Sequence, residues 1–114
     1  MTLTAKQLLI GQLLAWPEVT QQPHRFGGIE FQLKGTEIGH LHGDHLLDLL
    51  LPKALRDQLV VSGRAQPHHM YPNSGWVSLY LTLNEDVATA IEIIRFKYDY
   101  LVSSQNDEMV NSLD

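Results

Sequence analysis

Five of the six histidines of this chain fall in two short clusters. His40-Leu41-His42-Gly43-Asp44-His45 sets three imidazoles and a carboxylate side by side, and His68-His69 follows later. Neutral imidazole nitrogens and carboxylate oxygens are accepted as ligands by zinc, iron, nickel and copper, and three protein ligands leave a position for water. His40, His42 and Asp44 form the candidate metal set, a divalent transition metal the candidate cofactor, and His68 or His69 a further ligand from a neighbouring strand. His-x-His matches no single metal signature, and no His-Glu-x-x-His helix sharpens it. The plainer alternative is structural: the histidines cap a hairpin and hydrogen-bond to backbone and to Asp44 or Asp48, titrating near neutrality without further role.

Other chemistry is thinner. Ser74 and Ser78 sit outside any Gly-x-Ser-x-Gly elbow, so a serine nucleophile is disfavoured. Arg56-Asp57 and Arg64 offer an anion site or, more ordinarily, weak helix-surface pairs. Gly27-Gly28 does not follow a predicted strand and is not read as a phosphate loop. Trp76 and Tyr80 share one strand face, which suits a packing layer, a subunit contact or a stacking surface.

These residues need elements to hold them. Thr4 to Trp16 reads as a helix: Thr4 and Gln7 form a capping box, Leu9, Leu13 and Trp16 share a face, and Pro17 ends it. Glu18 to His24 reads as a polar connector. Ile29, Phe31 and Leu33 alternate with polar residues, predicting a strand, and Lys34-Gly35-Thr36 a turn. A second strand runs from about Glu37 to His42, Gly43-Asp44 is a two-residue turn, and His45 to Leu51 a third strand. In that register His42 and His45 face each other, with His40 on the same side.

Pro52 then opens a short helix over Lys53 to Val61, closed by Gly63. Ala65 to Met70 is a fourth strand, with Pro67 suited to an edge. Val77, Leu79, Leu81 and Leu83 alternate in a fifth. Asn84 caps a last helix whose stripe is Val87, Ala90, Ile91, Ile94, Tyr98 and Leu101. The pattern predicts an α+β fold, helix–three strands–helix–two strands–helix, with an antiparallel sheet of about five strands covered by helices on one face. Residues 1–103 form the single domain, and 104–114 a flexible polar tail.

The balance of residues narrows the function. At 114 residues with 44% hydrophobic content, one domain with a real core is expected. There is no cysteine, so disulfides and thiolate sites are excluded. No apolar run reaches the ~18 residues of a membrane span, and no leader segment is evident, so a cytoplasmic location is expected. A formal charge of −5 argues against nucleic acid as a partner.

Several pieces of the chain, taken together, resemble a known family. They are Gly39-His40-Leu41-His42-Gly43-Asp44, Asp48-Leu49, Leu55 to Val60, Gly63-Arg64-Ala65, His68-His69, Ser74 to Ser78, Asp86-Val87 and Ala90-Ile91. The set is similar to the small luciferase-domain family of mostly bacterial proteins, over roughly residues 26 to 101. That family's name is an inherited label and brings no light-emitting reaction with it. Two departures stand out: His45 replaces a small residue, which argues against its belonging to a shared site, and Leu49-Leu50-Leu51-Pro52 replaces Leu-Pro-Phe-Pro. In layout alone the chain also resembles YjbR-like double-wing proteins. DNA binding through such wings is the reading the net acidity disfavours.

The first functional expectation is a soluble, non-catalytic domain that binds a small molecule or a protein partner. Its binding face carries His40, His42, Asp44, His68, His69, Trp76 and Arg64. The rival is a metal-dependent, hydrolase-like enzyme built on the same clusters, with Asp44 as ligand or base. A homodimer through the Trp76/Tyr80 face or a free strand edge is a further expectation.

Overall fold

The computed structural model describes residues 3–25, 27–82 and 84–112, the side chains of residue 84 and of 106–112 excepted. In chain order the elements are α1 (Ala5–Leu14), β1 (Val19–Pro23), β2 (Ile29–Leu33), β3 (Thr36–His42), β4 (Leu46–Leu50), α2 (Lys53–Val61), β5 (Gln66–Pro67), β6 (Trp76–Tyr80) and α3 (Asn84–Ser112). The strands form one antiparallel sheet in the order β1-β2-β3-β4-β6-β5. This is the α+β class expected, with six strands rather than five. The extra strand is β1, drawn from the segment read as a connector. It is an edge strand whose side chains are mostly exposed, so its residues lack the apolar alternation that marks a half-buried strand.

Period-two alternation divides the sheet into two unlike faces. Phe31, Leu41, Leu47, Leu49, Val77 and Leu79 point to one face and are buried. α1 and α3 pack on each other, and α3 lies against β3, β4 and β6. Leu9 and Leu13 of α1 and Val87, Ala90, Ile93, Ile94 and Tyr98 of α3 supply the helical half of this core. Each of the leucine, isoleucine and valine side chains among them contributes about 2 kcal/mol by leaving water. α3 approaches closely at Gly39, where an added Cβ would stand 3.3 Å from Ile94 Cδ1 and 3.2 Å from the Asp48 carbonyl oxygen. The opposite face carries His40, His42, Asp48 and Ser78.

Local chemistry explains the boundaries. The Thr4–Gln7 capping box forms as expected, Gln7 N–H donating to Thr4 Oγ1 at 3.1 Å and Thr4 N–H to Gln7 Oε1 at 2.9 Å. α2 spans the residues expected of it, and Pro67 sits in a two-residue edge strand. The turn after β3 is longer than expected: His42 pairs with Leu46, so Gly43, Asp44 and His45 form a three-residue loop. His45 therefore does not oppose His42. Its Nδ1 lies 3.0 Å from the Leu81 carbonyl oxygen and ties the loop to the end of β6. The expected cap by the Asn84 side chain and the strand position of Leu83 lie outside the described residues. From residue 104 the chain continues in α3, and Gln105 Nε2 donates to the Leu33 carbonyl at 3.2 Å. Among the described residues no helix is long and apolar enough to cross a membrane.

Candidate functional site

One row of directly paired positions crosses the polar face of the sheet. Glu30 of β2 pairs with His40 of β3, His40 with Asp48 of β4, Asp48 with Ser78 of β6, and Ser78 with Gln66 of β5. His42, two residues along β3, and Trp76, two along β6, share that face. The loop following β5 folds back over it, bringing His68, His69 and Tyr71. His24, just past β1, stacks its ring on His40 with centroids 4.1 Å apart.

Asp48 is the hub. Its carboxylate is wholly buried and accepts the Ser78 hydroxyl at Oδ1, 2.6 Å away. Four imidazoles present Nε2 to the other oxygen, Oδ2. His68 and His69 stand at 3.2 Å, His42 at 3.3 Å and His40 at 3.8 Å. A buried carboxylate must be paired or strongly hydrogen-bonded, and here it is surrounded by more nitrogen atoms than one oxygen accepts bonds from.

The hydrogen bonds assign tautomers. His68 Nδ1 accepts two backbone N–H groups, from Met70 at 3.0 Å and Tyr71 at 3.1 Å. The hydrogen of its neutral ring is therefore on Nε2, which donates to Asp48. In His40 the polarity is reversed: Nδ1 lies 3.0 Å from the Glu37 carboxylate and donates to it, leaving the neutral ring's lone pair on Nε2. That lone pair faces Asp48 from beyond hydrogen-bond reach.

A β-bulge makes the Glu37–His40 contact. Phe31 pairs with Gly39 but Gln32 with Glu37, so Ile38 is the extra residue on β3. Regular alternation would have put Ile38 beside His40 and turned Glu37 into the core. The bulge reverses both. Burial raises the proton affinity of Glu37, but the hydrogen bond from His40 and, when those rings are protonated, the charges of His40 and His24 outweigh it and hold the carboxyl below its usual range. Burial is the main cause lowering the pKa of His42 and of His68, against the pull of Asp48. Burial likewise depresses Lys97 of α3, with Glu37 opposing.

A cleft of about 720 Å³ lies over this row. Its walls are His24, Arg25, His40 and His42 on one side, His68, His69, Met70 and Tyr71 on the other, with Leu50, Trp76, Thr36, Glu37 and Lys97 completing them. Trp76 stands 5.5 Å from His40 and 5.8 Å from His68, centroid to centroid. The loop wall is fixed from below by Arg56 of α2. That side chain is buried, donates to the Pro72 carbonyl and to Asp57, and leaves its Nε without a partner.

Of the residues singled out in the sequence, His40, His42, His68, His69 and Trp76 come together here. Asp44 does not: its side chain is 70% exposed on the hairpin loop and pairs with Lys6 at 3.4 Å. Arg64 pairs with Glu92 at 2.7 Å and lines a separate small cavity with Ala65, Tyr80 and Asp86. Ser78 is buried under Asp48, and Ser74 Oγ donates to the Tyr71 carbonyl, so neither is placed as a nucleophile. Sequence reasoning left Glu37, His24 and Lys97 out of the site and named Asp48 only as a hydrogen-bond partner of the histidines. Asp48 did carry a signal, since a lone carboxylate inside Leu46-Leu47-Asp48-Leu49-Leu50-Leu51 is a charge placed in an apolar strand. Glu37 carried none, because only the bulge turns it to this face.

No curated protein and no solved structure matches the chain. The Luciferase domain family model matches residues 35–97, more than half of the chain. That span runs from the start of the bulged strand to Lys97 and holds the Asp48 hub, its four imidazoles and Trp76. The chain belongs to the luciferase-domain family.

Proposed function

We propose that this domain binds a small organic molecule in the cleft over its polar sheet face. The observation that carries this reading is the cleft itself. Its volume falls in the range of small-molecule sites, and it joins apolar and aromatic walls (Leu50, Met70, Tyr71, Trp76) to a few convergent polar groups. Arg25 and Lys97 line the same cleft and favour a ligand with an anionic group. Half-buried Trp76, in ring contact with two histidines, is the natural reporter. The chain has two tryptophans, so Trp16→Phe leaves Trp76 as the sole indole.

The test is a screen of chemically varied fragments against this variant after treatment with a chelator, read by Trp76 emission and thermal shift. Hits are expected to be enriched in carboxylates and phosphates. They should lose at least tenfold in affinity in Lys97→Met, tested in the same Trp16→Phe background. A screen in which no compound moves either signal rejects the reading. A metal-dependent enzyme is the second reading, favoured by the convergence of imidazoles on Asp48. A hydrolase screen of the metal-loaded protein tests it.

A further inference from the structure

We infer that His40, His42 and Asp48 form a site for a divalent transition metal at the floor of the cleft, held by one β-hairpin and tuned by Glu37. The three residues each bring a ligand atom within 4.8 Å of the other two. Two ligands about 2.0–2.1 Å from a tetrahedral zinc stand about 3.3–3.4 Å apart. His42 Nε2 is 3.3 Å from Asp48 Oδ2, and His40 Nε2 at 3.8 Å needs to move only a few tenths of an ångström.

The orientation of His40 is the independent support. Its side chain is only 8% exposed, and its Nδ1–H is engaged by Glu37. The Nε2 lone pair is thereby aimed at a carboxylate oxygen that carries lone pairs of its own. Two acceptors facing each other in a buried place repel, and the repulsion is relieved by a proton on Nε2 or by a metal ion held between them. A carboxylate holding the far nitrogen of a ligating histidine is the usual outer shell of a metal site. Ser78 completes that shell by holding Asp48 Oδ1, so that Oδ2, which also accepts from His68, is the oxygen that would reach the metal.

The same logic excludes His68. Its Nδ1 accepts two backbone N–H groups, so Nε2 keeps its hydrogen and serves as a donor to Asp48. Asp44, on the exposed loop, takes no part. His40 and His42 line the cleft, so the remaining coordination positions open towards the organic ligand. The inference is independent of that ligand, whose binding is tested on metal-stripped protein.

The experiment uses the full chain without a histidine tag, stripped with a chelator and dialysed against zinc or cobalt(II). Metal content and the cobalt visible spectrum are the readouts, and circular dichroism checks that each variant folds. One equivalent is expected on the wild type and on Asp44→Asn, whose side chain lies on the exposed loop outside the site. His42→Ala should weaken binding by more than a hundredfold, and Glu37→Gln by about 10- to 100-fold. His42→Gln, nearer the imidazole in volume, serves if the alanine variant does not fold. A wild-type protein that takes up no metal overturns the inference. So does a metal retained at full affinity by the His42 variants, or one lost in a folded Asp44→Asn.

Discussion

Asp48 and His68 show how one side chain's hydrogen bonds decide the role of the next. Two backbone donors fix the proton of His68 on the nitrogen that faces Asp48, while Glu37 fixes the proton of His40 on the nitrogen that faces away. Two imidazoles of the same chemical type, both turned towards Asp48, thus become one donor and, in its neutral form, one acceptor. Spacing alone could not separate them, and His40, His42 and Asp44 looked equivalent as ligands in the sequence. The lone charge in an apolar strand was the better pointer, since a carboxylate there has to be buried and paired. A pH dependence belongs to this scale. Burial lowers the pKa of His42 and His68 in the folded protein, so the unfolded chain binds more protons as pH falls through about 6.5. Stability of metal-free protein is therefore complete above that pH and declines below it. Urea midpoints at pH 7.5 and 5.5, in chelator, should differ in that sense, and His42→Gln should narrow the gap.

At the level of elements, the central strands and all three helices were legible because apolar periodicity and capping chemistry wrote them plainly. Thr4 with Gln7, Pro52 ahead of α2, and the stripe on α3 each act through a local interaction that the chain order reveals. What stayed hidden depends on partners distant in sequence. β1 is a strand because β2 pairs with it, and its exposed side chains carry no period. The bulge at Ile38 depends on how β3 meets β2. Arg56-Asp57 looked like a surface pair, yet Arg56 is buried and reaches across to the Pro72 carbonyl. It is the tie between α2 and the loop that carries His68, His69 and Tyr71. Arg56→Ala should cost about 2 kcal/mol, the usual worth of a charged hydrogen bond. Amide exchange should quicken across residues 68–75 and remain unchanged in β3. Uniform acceleration throughout the sheet would show instead that Arg56 supports the fold as a whole.

For the molecule as a whole, the division of labour is between the two faces of one sheet. α1 and α3 take one face for the core, and the other is left for the cleft. Antiparallel sheets allow this asymmetry, whereas a parallel sheet covered on both sides does not. The sheet's polar row brings together β2, β3, β4, β6 and β5, yet the proposed metal ligands all come from residues 40–48. That compactness has a kinetic consequence. Closing so short a loop is entropically cheap, so the ligands can meet before β1, β5 or α3 has docked. A metal bound at that stage stabilises the transition state for folding as well as the native state, and so raises the folding rate. Stopped-flow refolding followed by tryptophan emission should therefore be faster in zinc than in chelator. An effect confined to slower unfolding would mean that the hairpin assembles only after the rest of the sheet.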